Sequence, residues 1–114
     1  QRNVLPVEKI SNDRWQTPVG YLSKPLSTED WKVTELMVDE QAFEVQSDPL
    51  GHALVQGREF LGSYWLLKVE LDKHILRVRQ PLERVSKIGD RCNIKFKPGK
   101  FGMLFPGAVQ CSLE

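Results

Sequence analysis

Apolar and polar residues alternate along much of the chain, most clearly in its second half. In residues 64–71 every odd-numbered position is apolar, from Trp65 to Leu71. The same two-residue period returns in residues 91–97, where Cys92, Ile94 and Phe96 are separated by polar residues. Side chains of a strand point alternately to its two faces, so this period predicts β-strands with one buried face.

Strands are predicted over residues 3–10, 14–22 with a break at Pro18, 34–38, 43–45, 52–60, 64–71, 74–79 and 91–97. Gly62-Ser63 and Asp72-Lys73 supply hairpin turns, and Pro81 ends a strand because proline has no N–H to donate. Ser27–Asp30 resembles a helix N-cap, but only one turn could follow it, and no ten-residue stretch has the apolar face of a helix. Seven to nine short strands predict an all-β domain, a small barrel or a sandwich of antiparallel strands.

Length and composition indicate one domain, residues 1–114. The chain is 40% hydrophobic and 27% charged, which is typical of a globular domain. Its apolar runs are too short for a membrane span or a signal-peptide core. The chain begins at Gln1 in what we predict to be a strand, so we expect it to be a fragment of a longer protein. Leu113-Glu114 are interpreted as a possible cloning remnant and are left out of the predicted fold.

Charge is sorted along the chain. Residues 27–50 contain seven acids and one base, and residues 77–100 contain eight bases and two acids. The basic segment could form a groove for nucleic acid or an oxyanion. Alternatively, the two segments complement each other or a partner subunit. The formal net charge of +1 argues against binding nucleic acid by bulk electrostatics.

Motifs for catalysis and for metal binding are missing from the sequence. Cys92 and Cys111 are the only cysteines, and His52 and His74 are the only histidines. They do not form the close pairs that zinc sites use, so we expect a buried Cys92, exposed histidines and no metal. A disulfide between the two cysteines is the alternative to reduced thiols, which we expect because nothing marks the chain as secreted. The chain has no phosphate-binding glycine loop and no nucleophile elbow. We therefore expect no enzyme activity and no cofactor in this fragment.

Three segments in order carry a resemblance to a known family. They are Asn3–Val7, then Leu36–Val38 with Asp48–Gly62, and finally Ile88–Ile94 closing with Leu104–Gly107. Together they resemble the C-terminal TOBE domain (transport-associated OB domain) of the ATP-binding subunit of an ABC importer. Where relatives usually carry Arg-Pro-Glu or a similar basic turn, this chain has Val38-Asp39-Glu40. Any contact that this arginine makes in relatives therefore cannot be carried over, and residues 11–33 match no motif.

The resemblance implies an OB-like fold and a non-catalytic regulatory or dimerisation role. The implied parent chain is cytoplasmic and peripheral to the inner face of the cell membrane, with ATP and Mg²⁺ in its missing ATPase domain. Its implied partners are a second copy of the ATPase subunit and the membrane permease subunits. The transported solute would be an inorganic ion such as iron, sulfate or molybdate, and the domain could sense it.

Two groups of residues are candidates for these roles. The planar guanidinium group of arginine can donate two parallel hydrogen bonds to one anion, which suits tetrahedral oxyanions. The candidate oxyanion ligands are Arg58, Arg77, Arg79 and Arg91. These four arginines could equally line a solvated strand face. Exposed aromatic residues anchor interfaces, and the candidates are Trp15, Trp31, Tyr64 and Trp65, the last of which could equally belong to the core.

Two alternative functions remain open. The first is an OB-type nucleic-acid-binding module, in which Arg77, Arg79, Arg91 and Lys95 would follow phosphates while Tyr64 or Trp65 stacks on bases. The face shared by Arg91, Asn93 and Lys95 contains no aromatic residue, which counts against this alternative, and we expect no nucleic-acid partner. The second is a structural spacer that binds nothing small.

Overall fold

The computed structural model describes residues 2–11, 14–23 and 33–114. Over these ranges the chain forms short β-strands and one 3-10 helical turn, Glu40–Ala42. The strands are β1 Arg2–Pro6, β2 Glu8–Lys9, β3 Arg14–Gln16, β4 Tyr21–Ser23, β5 Glu35–Asp39, β6 Phe43–Ser47, β7 Ala53–Phe60, β8 Tyr64–Leu71, β9 His74–Pro81, β10 Arg91–Phe96, β11 Phe101–Phe105 and β12 Val109–Ser112. The prediction of an all-β chain is confirmed.

The strands pair into three antiparallel sheets. One has four strands in the order β1-β5-β11-β12, one has five in the order β6-β10-β7-β8-β9, and one has three in the order β2-β3-β4. The turns between β7, β8 and β9 lie where the sequence predicts them. Gly62 (φ 93°) and Asp72 (φ 55°) both adopt the left-handed backbone conformation there, which glycine takes at no steric cost and aspartate tolerates.

None of the sheets closes into a barrel, and the arrangement is compatible with the sandwich, one of the two predicted architectures. The edge strands β6 and β9 of the five-stranded sheet contact each other without pairing. One physical reason lies on the edge of β9. The side chain of Asn3 accepts the N–H of Arg77 at 2.7 Å and donates to its carbonyl oxygen at 2.9 Å. Pro81, further along the same strand, has no N–H to offer a partner strand.

A single hydrophobic core joins the inner faces of the sheets. Its largest completely buried side chains include Phe43, Leu36, Leu67 and Leu104. The predicted inward face of β10 is confirmed, because Cys92, Ile94 and Phe96 are all buried. Burying one such side chain contributes about 1.5–3 kcal/mol, so this core is the main source of stability.

Trp15 belongs to the same core and is completely buried between the exposed neighbours Arg14 and Gln16. The prediction that it is an exposed interface residue is wrong. A three-residue strand is too short to reveal by its own period which side faces inward. Trp31 and the predicted N-cap at Ser27–Asp30 lie outside the described residues.

The strand pattern differs from the prediction in three places. The segment predicted as one strand over residues 3–10 is divided at Val7, whose N–H donates to the carbonyl oxygen of Thr34. Strands β11 and β12 were not predicted, because Gly102, Pro106 and Gly107 interrupt their alternation. The terminal residues, left out of the predicted fold, do take part in it: Leu113 is buried and forms a bridge with Leu22.

Candidate interaction surface

The four candidate arginines are divided between the two faces of the five-stranded sheet. Arg79 lies opposite Leu66 and Arg77 opposite Lys68, whereas Arg58 lies opposite Leu67. Consecutive residues of a strand point to opposite faces, so Arg58 lies on the other face from Arg77 and Arg79. Arg91 is on β10, with β7 and β8 between it and β9. The structure therefore does not bring the four arginines together around one anion.

Arg79 is already engaged by two neighbours. Its Nη2 lies 3.1 Å from Oε1 of Glu40, which is 5% exposed. The central carbon of its guanidinium lies 3.8 Å from the ring centroid of Tyr64. A cation over an aromatic face is attracted by the ring quadrupole, so one face of Tyr64 is covered within the chain itself. This arrangement makes Tyr64 a weaker candidate anchor than its sequence position implies.

Arg58 forms the centre of a second cluster, on the opposite face. Its guanidinium carbon lies 4.6 Å from the ring centroid of Trp65, and the Phe60 ring meets Trp65 edge-on at 5.3 Å. Nη1 of Arg58 donates to the carbonyl oxygen of Ser86 at 3.2 Å. Nε2 of Gln80 donates to the Ser86 hydroxyl at 2.9 Å. The loop after β9 is thereby held against the end of β7.

We name Arg58, Phe60, Trp65 and Ser86, together with the adjoining Val85, the aromatic cap. Trp65 is partly buried and packs against the core, which agrees with the second of the two roles that the sequence leaves open for it. Phe60 is 57% exposed and Val85 61% exposed. Other exposed apolar side chains lie next to the cap in the chain, namely Leu61, Leu82 and Ile88. Protein-binding hot spots are enriched in tryptophan and arginine. The cap has this composition, because it combines a tryptophan packed against the core with an arginine and exposed apolar neighbours.

The sequence only partly identified this surface. The sequence indicates Arg58 as a candidate anion ligand and Trp65 as a candidate interface anchor. It does not place the two together, and it does not single out Phe60 or Val85. Leu82, Val85 and Ile88 are apolar residues at three-residue spacing in an otherwise polar loop, which was the available signal. A loop has no fixed period, so its spacing alone cannot show that it folds back onto β7.

Some residues of the acidic segment, 27–50, contact residues of the basic segment, 77–100, within the chain itself. Lys95 lies opposite Glu44 across the β6–β10 pair, with Nζ and Oε2 3.9 Å apart. Nδ2 of Asn93 donates to Asp48 at 2.8 Å. Together with the Arg79–Glu40 pair, these contacts favour the interpretation that the acidic and basic segments complement each other.

The cysteines and histidines lie apart from the aromatic cap. Cys92 and Cys111 are buried and free. Burial raises the pKa of both thiols, to about 11 for Cys111, and the nearby charge of Asp90 adds to the effect at Cys92. His52 is exposed, whereas His74 is half-buried. Within residues 2–11, 14–23 and 33–114, no three His, Cys, Asp or Glu side chains lie close enough to hold a metal ion.

No protein-family model matches the sequence, and no curated protein is significantly similar to it. In the described part of the chain, no helix has the length and apolar character needed to cross a bilayer.

Proposed function

We propose that the chain is a non-catalytic accessory domain of the TOBE type, belonging to the ATP-binding subunit of an ABC importer. In this proposal the aromatic cap docks onto a second copy of the same subunit. The observation that carries the proposal is the exposure of Phe60 beside the Arg58–Trp65 stack. An anchor of this kind loses water and gains packing only when a partner covers it.

The fold and the motif order add support. A five-stranded sheet whose edge strands meet without pairing has the partly open character of OB-type domains. The segments that carry the resemblance include Asp48–Gly62, which runs through β7 and into the cap. The surface that we assign to docking thus overlaps one of the motifs at Arg58 and Phe60.

The remaining parts of the proposal concern the parent protein. Its ATPase domain would bind ATP and Mg²⁺, and its permease partners would hold it at the inner face of the cell membrane. The solute would be an inorganic ion such as iron, sulfate or molybdate. Sensing of that ion by all four arginines together has less support, because Arg58 and Arg79 lie on opposite faces and Arg79 is paired with Glu40.

The nucleic-acid alternative has less support than docking. Each aromatic ring proposed to stack on bases carries an arginine on one face. The exposed face of β10 that contains Lys95 and Asn93 also has acidic neighbours, Glu44 and Asp48. These carboxylates would repel a phosphate backbone.

Sedimentation velocity over a wide range of concentration tests the docking surface. We expect the chain to self-associate reversibly and Phe60→Ser to weaken association at least about tenfold, as loss of a hot-spot side chain does. Phe101→Ser is the matched control, since Phe101 is 56% exposed but lies on β11 in a different sheet. A chain that stays monomeric, or two variants with equal effects, would overturn docking through the cap.

Amide NMR titrations with sulfate, molybdate, ferric citrate and a short single-stranded DNA test the functional class. Under the proposal, self-association shifts the cap amides and DNA gives no saturable shifts. Saturable binding of DNA alone would overturn the accessory-domain proposal in favour of the OB-type nucleic-acid binder.

A further inference from the structure

The outer face of the four-stranded sheet carries more apolar side chains than the solvated face of an antiparallel sheet usually does. Such sheets typically turn apolar residues to the core and polar residues to water. In β11, however, the outward residues Phe101, Met103 and Phe105 are all apolar, and Phe101 is 56% exposed. Exposed apolar patches mark binding sites, so this face is a candidate for one.

Both methionines of the chain lie next to each other on this face. Met37 of β5 and Met103 of β11 are directly opposite in the register of the two strands, and both are half-buried. The Cβ atoms of directly opposite residues in an antiparallel pair are about 4.5–5.5 Å apart. A methionine side chain is unbranched and flexible, so the two sulfur atoms can turn towards one bound atom.

A hollow of about 200 Å³ opens beside the methionine pair. Asp39 and Phe101 lie two residues along their strands from Met37 and Met103, and every second residue of a strand points to the same face. Both are exposed, so the hollow opens to solvent. Its lining consists of Met37, Asp39, Phe101, Gly102, Met103 and Gln110.

Charge alone does not make this hollow a binding site. Oδ1 of Asp39 accepts the N–H of Gln41 at 2.9 Å, which orients the carboxylate at the rim. Arg2 lies opposite Asp39 in the register of β1 and β5. The formal charges of these two residues cancel, so the two thioethers are the distinctive ligands of the hollow.

The thioethers select the class of ion. Thioether sulfur is a soft ligand that favours Cu(I), whereas Mg²⁺ and Ca²⁺ prefer oxygen. Zinc is bound by cysteine, histidine and carboxylate side chains, and no described cysteine or histidine lines the hollow. The expectation of a metal-free chain rests on cysteine and histidine, and it does not consider methionine.

We propose that Met37 and Met103 bind one monovalent soft cation, Cu(I), through their sulfur atoms. The carboxylate of Asp39 would contribute negative charge at the rim. The ring of Phe101 would cover the ion, because a cation is attracted to an aromatic face. This site is separate from the aromatic cap, which lies on the five-stranded sheet and its following loop.

Titration with Ag(I), a soft monovalent cation that does not change its oxidation state in air, tests the site in a nitrate buffer free of chloride and thiols. The methyl signals of both methionines, followed by ¹³C–¹H NMR, should shift together and saturate at equimolar Ag(I). Cu(I) under anaerobic conditions should give the same pattern, and Mg²⁺ should shift neither signal.

Isosteric variants separate sulfur ligation from apolar binding. Met37→Leu and Met103→Leu keep the apolar volume and cost little stability. Each should weaken Ag(I) binding at least about tenfold, since loss of even an outer-shell partner of a metal has an effect of this size. The double variant Cys92→Ala/Cys111→Ala should bind Ag(I) normally, because both thiols are buried.

Three outcomes would overturn the proposal. They are the absence of saturable methyl shifts, unchanged Ag(I) binding in both leucine variants, and loss of the methyl shifts in the double cysteine variant. The inference depends on the methionine pair and not on the docking function. Phe60→Ser should bind Ag(I) normally and Met103→Leu should self-associate normally, so failure of one proposal is distinguishable from failure of the other.

Discussion

At the scale of single residues, the buried cysteines respond most directly to pH. Cys111 is 4% exposed on β12, opposite Gly102 of β11. Loss of hydration disfavours its thiolate and raises its pKa from 9.0 to about 11, although a hydrogen bond with the Gly102 backbone opposes the shift. The thiol therefore stays protonated in the folded chain at neutral pH, and we expect it to be inert towards thiol reagents until the chain unfolds.

The raised pKa of Cys111 predicts a loss of stability in alkali. Above pH 9 the unfolded chain releases the thiol proton while the folded chain keeps it, so the folded state binds more protons. The stabilisation is complete below pH 9 and is lost as the pH rises towards 11. Urea unfolding at both ends of this range should show a larger loss for the natural chain than for Cys111→Ala. Equal losses in the two proteins would contradict the assignment to Cys111.

At the scale of elements, Gly51 controls how closely the segment before β7 approaches β10. A Cβ at residue 51 would clash with the carbonyl group of Cys92, whereas a Cβ at Gly57 would come no closer than 3.8 Å to the Lys68 side chain. We expect Gly51→Ala to cost about 1–3 kcal/mol, because backbone must move to admit the methyl group. Gly57→Ala should change the stability by less than about 0.5 kcal/mol.

Urea denaturation followed by tryptophan fluorescence measures both glycine variants under the same conditions. Gly57 is the matched control, since it lies in β7, shortly after Gly51 in the chain. If both variants lose the same stability, the close approach to Cys92 does not explain the cost.

The elements that were predicted well are those with regular alternation. Strands β5 to β10 all lie within two residues of their predicted bounds, because one face is buried along most of their length and the two-residue period is visible. Strands β3 and β4 have three residues each. Their pairing depends on tertiary contacts that no local pattern records, which is also why the burial of Trp15 was missed.

The sites were less predictable than the strands. The identity of Arg58 and Trp65 pointed to binding, but their association depends on a register that joins Phe60 to Trp65 and Arg58 to Leu67. Alternation fixes the face of a residue within its own strand, and it does not fix which strands are neighbours. The contact of β6 and β9 without pairing arises from the order of strands in the sheet, so no segment of sequence alone could have shown it.

At the scale of the whole molecule, the chain terminus connects the three-stranded sheet to the rest. The N–H of Leu113 donates to the carbonyl oxygen of Lys100 at 3.1 Å, and the N–H of Glu114 donates to that of Tyr21 at 3.1 Å. The carboxylate of Glu114 accepts from Arg14 at 2.9 Å and from the Ser23 hydroxyl. These contacts join β3 and β4 to the segment that leads into β11.

Shortening the Leu113 side chain should therefore weaken the attachment of that small sheet. Leu113 is 6% exposed, and Leu113→Ala should cost about 2–5 kcal/mol because it leaves a cavity. Leu50→Ala is the matched control, since Leu50 is 87% exposed and its loss should cost less than about 0.5 kcal/mol.

Hydrogen exchange shows whether this loss is local. Amides of β3 and β4 should exchange faster in Leu113→Ala, while those of β8 and β9 keep their protection, because Leu113 forms a bridge with Leu22 of β4 and local opening begins where a contact is lost. Equal acceleration in all four strands would mean that the three sheets unfold as one cooperative unit. The terminus would then contribute to global stability, and it would not act as a separate connection between sheets.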